Sequence, residues 1–210
     1  MADLSSDKIA KALSDVRRSY RVVSLYQKRI LEMIDFAGSI LPSAVFDGWG
    51  PERWSKPGRK ILPSDNKFPL DGLPLFAFSV RYLIPSREGK DSEYECAIEV
   101  LHNADDGLDE VEIGIDSDLS DLEDPQKTSS LLYLYGWKLK AAFSHSKWRE
   151  IYRDTCWPEE DDILEEMQAG NCWVLRKTIN LEQLADRSDL EAALNSFLDV
   201  LRTNGFKIPR

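Results

Sequence analysis

Ten positions near the N-terminus constrain the fold more than any other feature of this sequence. Ile9, Leu13, Val16, Tyr20, Val23, Gln27, Ile30, Ile34, Ala37 and Leu41 recur at alternating steps of four and three, and only Gln27 among them is polar. That spacing lines one face of an α-helix with a near-heptad period. Ser5 or Ser6 can cap its start, and Pro42 stops it, because the residue before a proline avoids the α region. A helix over residues 6–40 is about 50 Å long at 1.5 Å per residue, longer than a small domain is wide. The stripe is narrow at first, flanked by Ala12, Arg17, Ser19 and Ser24, and wide later, flanked by Tyr26, Leu31, Met33 and Ile40. A wide face suits the chain's own core, and a narrow one suits a coiled-coil seam. The competing expectation is a break at Gly38 or near Arg17–Arg21, with both parts folded back.

The rest of the chain reads as a sheet followed by more helices. Residues 42–74 form a Pro/Gly-rich connection, punctuated by Pro42, Pro51, Pro57, Pro63, Pro69 and Pro74. Phe76, Phe78, Val80, Tyr82 and Ile84 alternate as in a strand, as do Tyr94, Cys96, Ile98 and Val100, and then Val111, Ile113 and Ile115. The last two runs, joined through Asp106-Gly107, suggest a hairpin. Ser130–Leu139 is apolar at most positions, as an interior strand would be, and Trp173, Leu175 and Ile179 mark a last strand. Helices are expected at Ser146–Thr155, from Pro158 to Gly170 behind the acidic run 159–162, and at the C-terminus. There Ser188 and Glu191 have capping-box spacing and Asn204-Gly205 ends the helix. The expected fold is therefore α+β. An antiparallel sheet of about five strands is flanked by the long N-terminal helix and C-terminal helices. It forms one domain over 1–210, divided into helix 1–41, connection 42–74, sheet 75–140, and 141–210 with helices and the last strand.

Charge is uneven. Residues 1–90 hold 15 Lys/Arg against 10 Asp/Glu, whereas residues 91–210 hold 12 against 27, and 91–124 alone carry 14 acids with no Lys or Arg. The overall balance of −10 disfavours nucleic acid, whose affinity rests on counterion release. No run of apolar residues is long enough for a bilayer span, and no basic patch precedes an apolar run as in a secretory signal. The three cysteines, Cys96, Cys156 and Cys172, include no CxxC pair, which points to a reducing, cytoplasmic setting.

The acidic hairpin is the sharpest candidate site. Glu95 and Glu99 alternate with the apolar residues of one strand, and Glu110, Glu112 and Asp116 with those of the next. If the apolar faces match, the carboxylates share the other face, with Glu99 opposite Glu110 or Glu112. Like charges across a ladder repel, so such a face calls for a cation or stays fully solvated. The cation could be a metal, a basic partner or the chain's own basic loop. A metal-dependent nuclease built on acid-x-Lys needs lysine where Gly114 stands. The calcium-loop pattern from Asp116 fails at Asp121 and Lys127, where glycine and glutamate are required. His102 and His145 are the only histidines, and no phosphate-binding glycine motif occurs. The basic aromatic stretch Trp49–Lys60 could stack bases and bind phosphate. The favoured expectation is that its tryptophans cover the core and its cations, such as Arg59 and Lys60, face the acids.

These readings converge on an acidic, non-catalytic binding, adaptor or inhibitor-type protein with no cofactor. Its expected surfaces are Glu95, Glu99, Glu110, Glu112 and Asp116, suited to a basic protein partner, and Leu13, Val16 and Tyr20, suited to a partner helix or a homodimer. No membrane contact is expected. The alternative is a divalent-metal-dependent hydrolase using Glu95, Glu99, Glu110 and Glu112.

Overall fold

The structure, a computed structural model, describes residues 6–51, 76–86, 93–108, 124–154, 157–158, 160–167 and 172–209. Its fold is α+β. The first element is one unbroken helix, α1 (Ser6–Ile40), so neither Gly38 nor the arginine cluster interrupts it. Among the described residues six strands follow: β1 (Val45–Pro51), β2 (Ala77–Pro85), β3 (Glu93–Asn103), β4 (Leu131–Ser144), β5 (Leu164–Met167) and β6 (Cys172–Asn180). Among the described residues two further α-helices follow, α2 (His145–Asp154) after β4 and α3 (Arg187–Thr203) after β6. The strands form one antiparallel sheet in the order β1-β2-β3-β4-β6-β5.

Each face of this sheet carries a core. On the first face, Phe78, Val80, Ile84, Cys96, Ile98, Val100, Leu132 and Leu134 meet α1 and α3. α1 contributes Ile30, Ile34 and Ala37 there, and α3 contributes Leu190, Leu194, Phe197, Leu198 and Leu201. Burying each such aliphatic side chain is worth about 1.5–3 kcal/mol. Two glycines permit the close approach. A Cβ on Gly38 would collide with the Tyr82 ring, and one on Gly136 with the Leu201 side chain. On the second face, Leu83, Ala97, Tyr135, Trp137 and Val174 are covered by Trp148 and Ile151 of α2. With both faces buried, the near-continuous apolar run of β4 is what such a strand requires.

Four local expectations need correction. Val45–Pro51 lies in the stretch read as connection, yet it pairs with β2 as an edge strand. An edge position tolerates the terminal Pro51, and a register shift between Phe46 and Gly48 absorbs the irregularity. Both edges of β3 are occupied, by β2 and by β4, so β3 has no free edge for the expected hairpin partner. Val111–Ile115 itself lies outside the described residues. The expected helix from Pro158 is replaced by a bend and β5. Asp161 does not sit in a first helical turn. Its carboxylate accepts hydrogen bonds from Thr178 N at 2.9 Å, Thr178 Oγ1 at 2.8 Å and Arg176 Nε at 2.7 Å, which docks the segment on β6. These bonds outweigh the effect of burial and hold the Asp161 pKa below its ordinary value. Finally, α3 is capped two residues earlier than expected. The Asp186 carboxylate accepts from Ser188 N and Asp189 N, and Asp189 answers with a bond from Asp186 N.

Candidate partner-binding surface

The burial of α1 changes abruptly along its length. From Ile30 onward the stripe is core, with Ile30, Ile34, Ala37 and Leu41 nearly inaccessible. Before that point the same stripe is bare: Leu13 is 51% exposed, Val16 48% and Tyr20 69%, with Ile9 and Val23 also exposed. Tyr26 is the last anchor before the bare stretch. Its hydroxyl lies 2.8 Å from His102 Nε2 on β3, and the two rings pack 5.6 Å apart. Burial lowers the His102 pKa to about 4, which keeps the ring neutral, and raises that of Tyr26. His102 Nδ1 is buried with no hydrogen-bond partner among the described residues.

Beside the point where α1 enters the core lies an open groove of about 1030 Å³. Leu31 and Ile34 of α1 form one wall, and Phe46 and Trp49 of β1 the other, with Phe78 and Val80 of β2 as floor. Phe46 and Trp49 are 58% and 57% exposed. Their spacing of three would put them on opposite faces of a regular strand. The register shift after Phe46 pairs it with Tyr82 and Trp49 with Val80, so both turn to the α1 side. Phe46 meets the Tyr82 ring edge-on at 6.2 Å, and Trp49 meets Phe78 edge-on at 6.5 Å. Trp49 therefore does not cover the core as expected. The rest of the basic aromatic stretch, with Arg59 and Lys60, lies outside the described residues.

Of the acidic residues expected to share one open face, Glu95 and Glu99 are among the described residues, and both are drawn into contacts within the fold. Glu110, Glu112 and Asp116 lie outside the described residues. Glu99 does face away from Cys96, Ile98 and Val100, but that face is a second core, and Glu99 is 0% exposed. Its ladder neighbours are Arg81 on β2 and Tyr135 on β4, and its Oε1 accepts a 2.8 Å hydrogen bond from Tyr152 of α2. Arg81 lies over the Tyr152 ring at 4.8 Å and 3.9 Å from the Asp47 carboxylate. Asp47 also accepts from Trp148 Nε1 at 3.1 Å and contacts His145 Nε2, so this polar cluster ties β1 to the start of α2. Glu95 sits where the β3–β4 register breaks, and turns to Ser86 Oγ at 2.6 Å and Lys207 Nζ at 3.7 Å. Among the described residues no group of three or more His, Cys, Asp or Glu is placed to hold a metal ion. Cys96 and Cys172 are free and buried, and burial pushes the Cys172 thiol up to about 12.

Sequence reasoning singled out the stripe but missed the groove and the Asp47–Arg81–Glu99 cluster. Residues on elements far apart in sequence build both, and the register shift in β1 aims Phe46 and Trp49. Among the described residues no helix is long and apolar enough to cross a membrane. Comparison with curated proteins and with solved structures found no match. One family model does match, and it spans the sheet and all three helices, including the bare first half of α1. From that match over residues 6–205, the chain belongs to the PM0109 family.

Proposed function

We propose that this protein is a non-catalytic binding or adaptor protein that engages a protein partner through the first half of α1. The observation that carries this reading is a single apolar stripe that is core at Ile30 and Ile34 but exposed at Leu13, Val16 and Tyr20. An isolated helical segment gains little stability from propensity alone, so a bare amphipathic extension fits a surface that packs on something else. The segment is also basic in sequence, with Lys8, Lys11, Arg17, Arg18 and Arg21 against Asp7 and Asp15. That pattern suits a partner groove with apolar walls and an acidic rim. The buried, free Cys96 and Cys172 suit a reducing compartment such as the cytoplasm. Glu99 beneath Tyr152 and Glu95 engaged by Lys207 give the acidic strand a role inside the fold, which favours the helix as the recognition surface.

The test compares wild type with the Leu13→Asp, Val16→Asp double variant as immobilised bait for extracts of the source cells. Circular dichroism should show the variant folded, because neither side chain is buried. A protein held by the wild type should be lost from the variant. Equal retention by both would place recognition elsewhere on the molecule.

A further inference from the structure

We infer that the groove between α1 and β1 receives the first half of α1 from a second copy of this chain, the two helices running antiparallel about a two-fold axis. This rests on the reading of α1 as a binding surface and names its occupant. Three observations carry it.

The first is continuity. The exposed stripe of Leu13, Val16 and Tyr20 runs along α1 into the groove wall at Leu31 and Ile34. Arm and groove are successive parts of one unbroken helix, so the arm cannot fold back into its own groove. It can enter the groove of another copy, and that copy's arm then enters the first, which makes a closed, isologous pair.

The second is fit. The arm, residues 6–23, is about 27 Å long at 1.5 Å per residue, and the groove follows α1 from Ser24 to Ser39, about 24 Å. Side chains of matching character meet: Leu13, Val16 and Tyr20 on the arm, Leu31, Phe46 and Trp49 on the groove.

The third is charge. The arm carries a net +3, from Lys8, Lys11, Arg17, Arg18 and Arg21 against Asp7 and Asp15. The stretch of α1 beside the groove is neutral, with Lys28 and Arg29 balanced by Glu32 and Asp35. Glu32 and Asp35 stand on the groove rim. The Lys28–Glu32 pair, 3.8 Å apart with both side chains mostly exposed, is weak enough to exchange for an incoming arginine. An arm-to-arm coiled coil would instead set +3 against +3 and leave Phe46 and Trp49 uncovered.

Sedimentation of the full chain over a range of concentrations tests this. Wild type should dimerise. The arm variant, Leu13→Asp with Val16→Asp, and the groove variant, Phe46→Asp with Trp49→Asp, should each lose the dimer while remaining folded by circular dichroism. Should the groove variant unfold, Leu31→Lys on the exposed helix wall serves in its place and should also abolish the dimer. Mixing the arm and groove variants should recover a weaker heterodimer, because one intact arm meets one intact groove. A groove variant that dimerises like wild type would overturn the arm-in-groove inference while leaving α1 as the binding surface. A wild type that stays monomeric throughout would also overturn it, without touching the capture of a different protein by α1.

Discussion

Lowering the pH should weaken the fold through His102, and the size of the effect follows from its burial. The ring is inaccessible, lies between Tyr26 of α1 and Phe78 of β2, and has its pKa lowered from 6.5 to about 4 by burial. The folded state therefore binds this proton less readily than the unfolded chain. Its contribution is fully present above pH 6.5, is lost as the pH falls through the window from 6.5 to about 4, and changes no further below that. At pH 5 the unfolded histidine is almost wholly charged and the folded one almost wholly neutral, which corresponds to a loss of about 2 kcal/mol. Carboxylates titrate over the same range, so the comparison is urea unfolding of wild type and His102→Gln at pH 7 and pH 5. Glutamine keeps a hydrogen-bond partner for the Tyr26 hydroxyl without a titrating group. Wild type should lose about 2 kcal/mol more than the variant between the two pH values. Identical losses would mean that His102 titrates normally, and that the junction of α1 with the sheet is wet rather than packed.

Truncating Ile34 to Ala should cost about 2–5 kcal/mol in denaturant unfolding, whereas Leu13→Ala in dilute solution should stay within about 0.5 kcal/mol of wild type; equal losses would contradict the division of α1 into core and arm. Tyr152→Phe removes the hydrogen bond to the buried Glu99 carboxylate and should cost about 1.5–3 kcal/mol, with a change below about 0.5 kcal/mol counting against a dry contact. Asp186→Ala removes the cap of α3 and should cost about 0.5–2 kcal/mol, read as a lowered melting temperature, while Ser188→Ala should cost less.

What the sequence disclosed depended on how locally each feature is encoded. α1 was legible as a helix because the near-heptad stripe from Ile9 to Leu41 fits no strand, but its continuity was not, since Gly38 and the Arg17–Arg21 cluster left a break open. β2, β3, β4 and β6 were legible because Phe78–Ile84, Cys96–Val100, Leu131–Trp137 and Trp173–Ile179 carry apolar runs. β1 was not, since its bulge breaks the alternation of Phe46 and Trp49, and that bulge is also what builds the groove. β5 was masked by Pro158 and the acids after it, which imitate a helix start; the bonds from Thr178 and Arg176 that hold Asp161 otherwise are long-range. Glu99 was placed on the correct face of its strand, but that face was read as an acidic surface, either solvated or met by a cation, and not as a second core. Ala97 and Leu101 share the face with Glu99, and both pack with the second core. They were the sign that α2 covers it.

The most direct test of the binding arm is amide hydrogen exchange along α1 at low and high protein concentration. Core amides from Ile30 to Ala37 should be protected equally at both. Amides from Ile9 to Val23 should exchange quickly when dilute, because an unsupported helical segment frays, and should become protected as the concentration rises and the groove of a second copy is filled. Strong protection of Ile9–Val23 at every concentration, equal to that of Ile30–Ala37, would contradict the account, since the first half of α1 would then be held by its own chain.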